Sequence, residues 1–218
     1  MRPDFVAVVL YNDGRLSSYL TEKLSGLLLI IFNAFLWCFI HMDYRLRPVV
    51  DSDIETILDW RNSDRIRKNM YTDHKINMHE HQEWFQKVKQ DRSVDYKICE
   101  LRERAIGLVY FTQISDTHTR CYWGFYLGET DVPVKSGPIM EFFALNYAFK
   151  SLNIRKICCE VFAFNTPVIK LHKKFGFKEE GLFLKHVLKT GNYVDVVSLA
   201  LFNEDWTQKE QDMRKLLF

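Results

Sequence analysis

The chain has 218 residues, of which 47% are hydrophobic and 27% are charged, and its formal net charge is +2. This composition is typical of a globular protein with a sizeable core and excludes a disordered chain. The net charge is too small to indicate nucleic-acid binding, so we expect no nucleic-acid partner. The five cysteines are not spaced like metal ligands, and their odd number is typical of reduced thiols. We therefore expect no metal site, no disulfide framework and a cytoplasmic location.

The first 41 residues differ in character from the rest of the chain. Residues 25–40 carry no charge, but Asn33 interrupts them and the run is shorter than the roughly 20 apolar residues that a spanning helix needs. One interpretation is a membrane anchor. The other, which we favour, is that residues 1–41 are an extension and that translation begins at Met42. Membrane association is expected only if residues 25–40 are translated.

A strand and two helices are predicted at the start of a domain that we place at residues 42–206. The strand covers Tyr44–Val50, and Asp51 is positioned to cap the helix that follows it. Asn77 is positioned to cap the second helix, with Glu80 three residues later as its capping-box partner.

Three strands, a long helix and a further strand follow in the middle of the domain. The first three strands are predicted at Asp95–Leu101, Ala105–Ile114 and Cys121–Leu127, and a short charged turn joins the first two as a hairpin. Apolar residues at helical spacing predict a helix over about residues 139–152. The apolar run Ile154–Phe162 is then typical of a buried strand.

The last part of the domain is predicted to be a short helix and a hairpin. The helix covers Thr166–Phe175, and the strands Phe177–Val187 and Tyr193–Phe202 flank a turn at Thr190–Asn192. A polar helical tail is expected at residues 207–218. The whole order of strands and helices predicts an α+β fold, in which helices cover a mixed sheet.

The segment 164–177 is the most regular part of this pattern. Thr166 is placed to cap its helix, Pro167 fits the first turn, and Gly176 is placed to end the helix in a left-handed conformation. The residues spaced to face the core are Val168, Leu171 and Phe175. On physical grounds alone, this segment is a well-formed amphipathic helix.

The surroundings of that helix resemble the GCN5-related N-acetyltransferase (GNAT) superfamily. The resemblance lies in the Asn165–Phe177 segment after a strand and in the loop Val134–Pro138, which opens the preceding helix. It implies a GNAT-type mixed, mostly antiparallel central sheet flanked by helices on both faces, with acetyl-CoA as co-substrate and no metal. In that family, backbone N–H groups of the loop hold the CoA pyrophosphate, because a helix N-terminus offers unpaired donors. The acetyl-CoA-binding residues that it implies are Tyr126, Leu127, Val134, Lys135, Ser136, Gly137, Asn165 and Lys174.

One branch of the superfamily is more closely similar, namely the UDP-4-amino-4,6-dideoxy-N-acetyl-β-L-altrosamine N-acetyltransferases of pseudaminic acid biosynthesis. The likeness lies in the order and spacing of several pieces, among them Trp60–Asn62, Asn69–Tyr71, Tyr122–Tyr126 and Asp195–Val197. It implies that the 4-amino group of a UDP-linked sugar attacks acetyl-CoA directly, in the biosynthesis of flagellin or surface glycans. The sugar-nucleotide-binding residues that it implies are Arg61, Asn62, Met70, Tyr71 and Tyr122. A homodimer is a further expectation.

Two residues are implied as catalytic. Glu160 matches the family's glutamate and is the candidate base for the amine proton, either directly or through a water molecule. His172 stands where much of the superfamily has a tyrosine, and it is the candidate acid for the leaving thiolate or a hydrogen-bond donor to the sulfur. The open alternatives are a glutamate that merely points to solvent and a half-buried structural histidine.

Two other functions stay open on the sequence alone. One is a GNAT enzyme that acts on a protein N-terminus, an aminoglycoside or another small amine. The other is an inactive acyl-CoA-binding module. An acidic acceptor groove would favour the peptide or aminoglycoside. The loop before the long helix retains only Gly137 of the usual glycine-rich sequence, and this keeps the inactive module open.

Overall fold

A computed structural model describes residues 44–218. The predictions for residues 1–41, including the apolar run at 25–40 and the thiol of Cys38, lie outside the described residues. Within the described part of the chain, none of the helices has the length and apolar character needed to cross a membrane.

The described residues form one sheet of seven strands in the order β1-β2-β3-β4-β5-β7-β6. Neighbouring strands are antiparallel except β4 and β5, which are parallel. The predicted mixed, mostly antiparallel sheet is therefore confirmed. The strands are β1 (Tyr44–Pro48), β2 (Asp95–Leu101), β3 (Arg104–Ser115), β4 (Arg120–Leu127), β5 (Lys156–Phe162), β6 (Lys178–Lys189) and β7 (Asn192–Phe202).

The helices follow the predicted order, with one short addition after the first helix. They are α1 (Ile54–Asn62), α2 (Asp64–Arg67), α3 (Met78–Gln90), α4 (Ser136–Asn146), α5 (Thr166–Phe175) and α6 (Asn203–Leu217). A wider π-helical turn, Tyr147–Ser151, continues α4. Residues 207–218, predicted as a polar tail, form most of α6, and Met213 and Leu217 are buried in the main core.

The two faces of the sheet are covered by different helices. Alternate residues of a strand point to opposite faces, and β2 illustrates this. Ile98 packs with Ile57 and Trp60 of α1, whereas the adjacent Cys99 belongs to the core beneath α4, α5 and α6. The prediction of helices on both faces is therefore confirmed.

The predicted helix starts are confirmed in part. The Asn77 side chain accepts a hydrogen bond from the Glu80 N–H at 3.0 Å, as a capping residue should. The reciprocal half of the capping box is wrong, because the Glu80 carboxylate bonds to His74 instead. The predicted cap at Asp51 is also wrong, since a short 3-10 turn begins there and α1 starts at Ile54.

Helix α5 confirms Phe175 as a buried core residue, but the rest of its buried stripe differs from the prediction. Asn165, not Thr166, occupies the cap position, and Gly176 ends the helix at φ 104°, as expected for a glycine. The most buried residues of α5 are Ile169, His172 and Phe175. Val168 and Leu171 are only partly buried, which leaves them at the edge of a cavity and turns His172 inward.

Candidate active site

The first feature of the site is a gap between β4 and β5. These parallel strands pair only over Arg120–Tyr122 and Lys156–Cys158, and then separate. Beyond that point lies a cavity of about 320 Å³, which we call the strand cleft, bounded by Trp123–Leu127 of β4, Cys159–Phe162 of β5 and His172 of α5. Where two neighbouring strands stop pairing, their backbone N–H and C=O groups become available to a ligand.

A second cavity of about 250 Å³, the aromatic pocket, adjoins the strand cleft. Its aromatic wall consists of Trp84, Tyr96, Tyr110 and Tyr126. The Tyr96 and Tyr110 rings stack at 5.7 Å, and Trp84 meets Tyr96 edge-on at 5.1 Å. Tyr110, Tyr126 and Met70 line both cavities and form the wall that the two share.

Arg61 contributes a positive charge to the aromatic pocket, and one of its nitrogens lacks a hydrogen-bond partner in the described structure. Its Nη2 donates to the hydroxyl of Thr72, whereas Nη1 is buried without a hydrogen-bond partner in the described structure. Burial lowers the pKa of Arg61, but a guanidinium still stays protonated in proteins. A buried donor without an acceptor is unfavourable, so the pocket suits a ligand that brings an oxygen to Nη1.

Glu160 lies on the strand cleft. It lines the cleft from β5, and its side chain is exposed. The hydroxyl of Tyr71 donates to its carboxylate, and the Tyr71 ring lies 5.5 Å from that of Phe162. Burial, followed by the bond to Glu160, raises the pKa of Tyr71, so this phenol remains a hydrogen-bond donor.

His172 is fully enclosed rather than half-buried. Only 3% of it is exposed, and Nδ1 lies 2.8 Å from an oxygen of Glu141, which is completely buried. Aromatic rings surround the imidazole, with Trp123 at 5.4 Å, Phe125 at 6.1 Å and Phe177 at 5.0 Å between centroids. The prediction from the sequence did not include Glu141.

The buried pair determines the protonation of His172. Burial alone lowers the pKa of an imidazole, but the Glu141 carboxylate, with a further contribution from Cys159, raises it to about 10. His172 is therefore an imidazolium at neutral pH, with both nitrogens as donors. Glu141 takes Nδ1, and Cys159, which lines the strand cleft, is a second hydrogen-bond partner of the imidazole.

These features agree with comparisons to known proteins. Residues 46–198 match the acetyltransferase (GNAT) domain. The chain belongs to this family. It is 31% identical over 125 residues to "Acetyltransferase PseH" of Campylobacter jejuni subsp. jejuni, an alignment that covers 57% of this chain and 76% of the relative. Against the spermidine N(1)-acetyltransferase of Vibrio cholerae, the identity is 22% over 76% of this chain and 96% of the relative.

A solved structure confirms the GNAT fold. The spermidine N-acetyltransferase from Vibrio cholerae in complex with CoA and spermine superimposes with a TM-score of 0.71, at 22% identity. The superposition covers 76% of this chain and 99% of the other. Family and relatives together establish an acetyl-CoA-dependent N-acetyltransferase. Residues 44–218 contain no group of three His, Cys, Asp or Glu side chains that could hold a metal ion.

The acetyl-CoA residues implied by the GNAT resemblance fall into two groups. Tyr126, Leu127 and Asn165 line the strand cleft. Four others lie at the start of α4, outside the cleft lining, and Lys174 is exposed on α5.

The four residues at the start of α4 have separate environments. Val134 is fully exposed, and the Lys135 ammonium donates to the carbonyls of Leu216 and Leu217 at the end of α6. Ser136 is buried with its hydroxyl 2.9 Å from that of Tyr44, and its N–H bonds to the Pro133 carbonyl. Gly137 follows in the first turn of α4, where an N–H group has no partner within the helix.

The sugar-nucleotide-binding residues that the resemblance implies also fall into two groups in this GNAT enzyme. Arg61 and Met70 line the aromatic pocket, and the Tyr71 hydroxyl donates a hydrogen bond to Glu160. Asn62 and Tyr122 line neither cavity. The Asn62 amide forms two 2.8 Å hydrogen bonds with the backbone of Ile76, so it fixes the chain before α3.

Sequence reasoning missed several side chains that shape the site. Trp84, Tyr96 and Tyr110 form most of the aromatic wall. The sequence did contain a clue to Glu141, because it is a charged residue within the otherwise apolar run Ile139–Leu145. Charged residues are rarely buried unless they are paired, so this position predicts a partner elsewhere in the core.

Proposed function

We propose that this enzyme transfers the acetyl group of acetyl-CoA to the 4-amino group of a UDP-linked 4-amino-4,6-dideoxy sugar of a pseudaminic-acid type pathway. The observation that carries the proposal is the aromatic pocket, with the unpartnered Nη1 of Arg61, beside the strand cleft. Aromatic faces bind uracil or a sugar ring by stacking, and a guanidinium binds diphosphate oxygens. The resemblance to the altrosamine N-acetyltransferases and the 31% identity to acetyltransferase PseH support the same acceptor.

The charge of the two cavities argues against a polyamine acceptor. A polycation requires several carboxylates, but Glu80 and Glu160 are the acidic residues among the described lining of the two cavities. Glu80 is already bonded to His74. Arg61 and Arg65 add positive charge. The same shortage of acidic groups disfavours an aminoglycoside, while an anionic sugar nucleotide fits this charge distribution.

The proposed reaction uses the point where the two cavities meet. Acetyl-CoA lies in the strand cleft with its thioester near Glu160, and the sugar amine arrives from the aromatic pocket. Glu160 accepts the amine proton, directly or through one water molecule, so that the neutral amine attacks the carbonyl carbon. The tetrahedral intermediate then collapses, and the bond from the carbonyl carbon to sulfur breaks.

Charge on the oxygen and sulfur is stabilised by two other parts of the cleft. A backbone N–H near Tyr126 or Leu127 of β4 donates to the carbonyl oxygen as it becomes negative. The His172 imidazolium is the proposed donor to the leaving thiolate. The first turn of α4, near Gly137, is proposed for the CoA pyrophosphate, with Val134, Lys135 and Ser136 shaping that loop. Asn165 borders the pantetheine path at the start of α5, and Lys174 lies on the outer face of that helix.

A panel of amines tests the acceptor. CoA release would be measured with UDP-4-amino-4,6-dideoxy-N-acetyl-β-L-altrosamine, spermidine, an aminoglycoside and a peptide with a free N-terminus. We expect kcat/KM for the sugar nucleotide to exceed that for each other amine by at least about 100-fold, about 2.7 kcal/mol of transition-state discrimination.

The matched control is Arg61→Lys, which keeps the positive charge but loses the planar fork. It is expected to lower kcat/KM for the sugar nucleotide about tenfold, with little effect on a small uncharged amine. A preference for spermidine or the peptide would overturn the proposed acceptor. Acetyl-CoA binding without CoA release on any amine would instead support the inactive module.

A further inference from the structure

A buried lysine on the β6–β7 hairpin is not explained by the acetyl-transfer site. Lys189, at the end of β6, is only 5% exposed. Its Nζ donates to the Met70 carbonyl at 2.6 Å and to the Asp73 carboxylate, and it lies 3.5 Å from the Arg67 carbonyl. An ammonium has three N–H donors. Here all three find acceptors on one stretch of chain, residues 67–73, which we call the 67–73 segment.

Further contacts tie the same segment to the hairpin. The N–H of Thr190 donates to the second carboxylate oxygen of Asp73 at 3.0 Å, and the Lys189 ammonium lies 5.5 Å from the centre of the Phe162 ring. The hydrogen bond from Lys189, then that from Thr190, lowers the pKa of Asp73, so its carboxylate is charged at neutral pH. Arg67 donates to the Asp73 carbonyl at 2.7 Å and closes the segment on itself.

The 67–73 segment carries three groups that line a cavity or bond to a residue that does. Met70 lines both cavities, the Tyr71 hydroxyl donates to Glu160, and Thr72 accepts a hydrogen bond from Arg61. These residues lie on a connection between α2 and α3, where little regular structure fixes the backbone. The contacts with Lys189 and Thr190 therefore supply much of what holds this connection in place.

We propose that Lys189 and Asp73 form a latch of positioning residues, which holds the 67–73 segment so that Tyr71 meets Glu160 and Arg61 keeps its orientation. The proposal rests on the proposed function to the extent that Glu160 is the base for the acceptor amine. Lys189 and Asp73 line neither cavity, so the latch acts through Tyr71 and Thr72, whose partners Glu160 and Arg61 belong to the proposed acceptor site. A change in the latch is therefore expected to alter acceptor use and to leave acetyl-CoA binding intact.

Lys189→Met tests the latch, since methionine keeps most of the side-chain length but cannot donate. Lys185→Met is the matched control, because Lys185 lies on the same strand with an exposed side chain. For Lys189→Met we expect amide hydrogen exchange in residues 67–73 to be at least about tenfold faster, with exchange in the central strands unchanged. The KM for the acceptor should rise at least about fivefold, while the KM for acetyl-CoA stays within about twofold. Lys185→Met should behave as the unmodified enzyme.

Hydrogen exchange separates failure of the latch from failure of the proposed function, because it needs no acceptor. Unchanged exchange in residues 67–73 would overturn the latch whatever the activity. A uniform increase across the whole sheet would also overturn it, since Lys189 would then only stabilise the fold. If Lys189→Met does not fold, Asp73→Asn takes its place with the same expected local increase, and Asp73→Glu should restore slow exchange. Full turnover of Glu160→Gln would remove the proposed base, while exchange would still decide the latch.

Discussion

The aromatic pocket and the strand cleft are built in different ways, although they share a wall. The aromatic pocket is made of side chains, with Trp84, Tyr96 and Tyr110 around the guanidinium of Arg61. The strand cleft arises from the backbone, because β4 and β5 stop pairing after three residue pairs. The buried pair of His172 and Glu141 lies behind it, with His172 in its lining.

This difference indicates where specificity resides. A cavity formed by the backbone keeps its donors and acceptors when side chains change, and it suits a co-substrate that many enzymes share. A cavity formed by side chains changes with every substitution, and it suits an acceptor that differs between enzymes. Substitutions in the two regions should therefore have separable effects on the two substrates.

The largest effect is expected at Glu160, because the proposed reaction brings both substrates together at this residue. Glu160→Gln removes the proposed base but keeps the size of the side chain and its contact with Tyr71. We expect kcat to fall at least about 100-fold, because a general base contributes that much or more. The Kd of acetyl-CoA, measured by calorimetry, should stay within about twofold. A turnover within threefold of the unmodified enzyme would exclude Glu160 as the base.

The second-largest effect is expected at the buried pair of His172 and Glu141 behind the strand cleft. His172→Phe removes the imidazolium but leaves the Glu141 carboxylate in the core without a partner. We expect the free energy of unfolding to fall by about 3 to 5 kcal/mol, which denaturant unfolding would measure. We also expect turnover to fall at least about tenfold with little loss of acetyl-CoA binding, since His172 is the proposed donor to the sulfur.

The double variant Glu141→Leu and His172→Phe separates these two effects. Replacing both charges with apolar groups should recover most of the stability, whereas turnover should stay low. The unmodified enzyme should also lose stability as the pH rises from about 6.5, where the unfolded imidazole titrates, to about 10, the pKa of His172, because only the folded state stays protonated over that range. The double variant should lack this alkaline loss. Turnover equal to that of the unmodified enzyme would assign His172 a purely structural role.

The smallest effect is expected from a change confined to the shared wall. A Cβ atom at Gly124 would overlap the phenol end of Tyr110, so Gly124→Ala must displace that ring from the aromatic pocket. We expect the KM for the acceptor to rise about tenfold, with the KM for acetyl-CoA within about threefold, in steady-state kinetics. Gly181→Ala is the control, because a Cβ there meets nothing within 4 Å. Equal changes in both KM values would contradict the separation of the two regions.

The fold was predictable because its patterns are local. Alternation and turn residues located the seven strands, and the Thr190–Gly191 turn, with positive φ at both residues, explains why the last hairpin was recognised. Helix caps were less predictable, because Asp51 and Thr166 have suitable side chains, yet Asp53 and Asn165 occupy the cap positions of α1 and α5. The short helix α2 was missed for a similar reason, since it is stabilised by packing of Ile66 rather than by any sequence pattern.

The candidate site was predictable only where resemblance to a family supplied it. Glu160 and His172 were named in this way, and spacing alone gave neither their partners nor their burial. Tyr71 was expected to bind the sugar nucleotide, but its hydrogen bond to Glu160, a residue 89 positions away in the chain, was not foreseen. The contacts of Lys189 and Glu141 are also long-range. No local periodicity encodes such contacts, because they depend on how distant strands and helices meet.

The early end of pairing between β4 and β5 affects how the sequences of such enzymes can diverge. A strand arrangement of this kind survives extensive sequence drift, which fits a TM-score of 0.71 at only 22% identity to the Vibrio cholerae structure. New acceptors then require replacement of a few aromatic and charged side chains on one face of the sheet. Protein engineers can use the same separation and aim to change the amine specificity through the aromatic pocket while leaving the strand cleft unchanged.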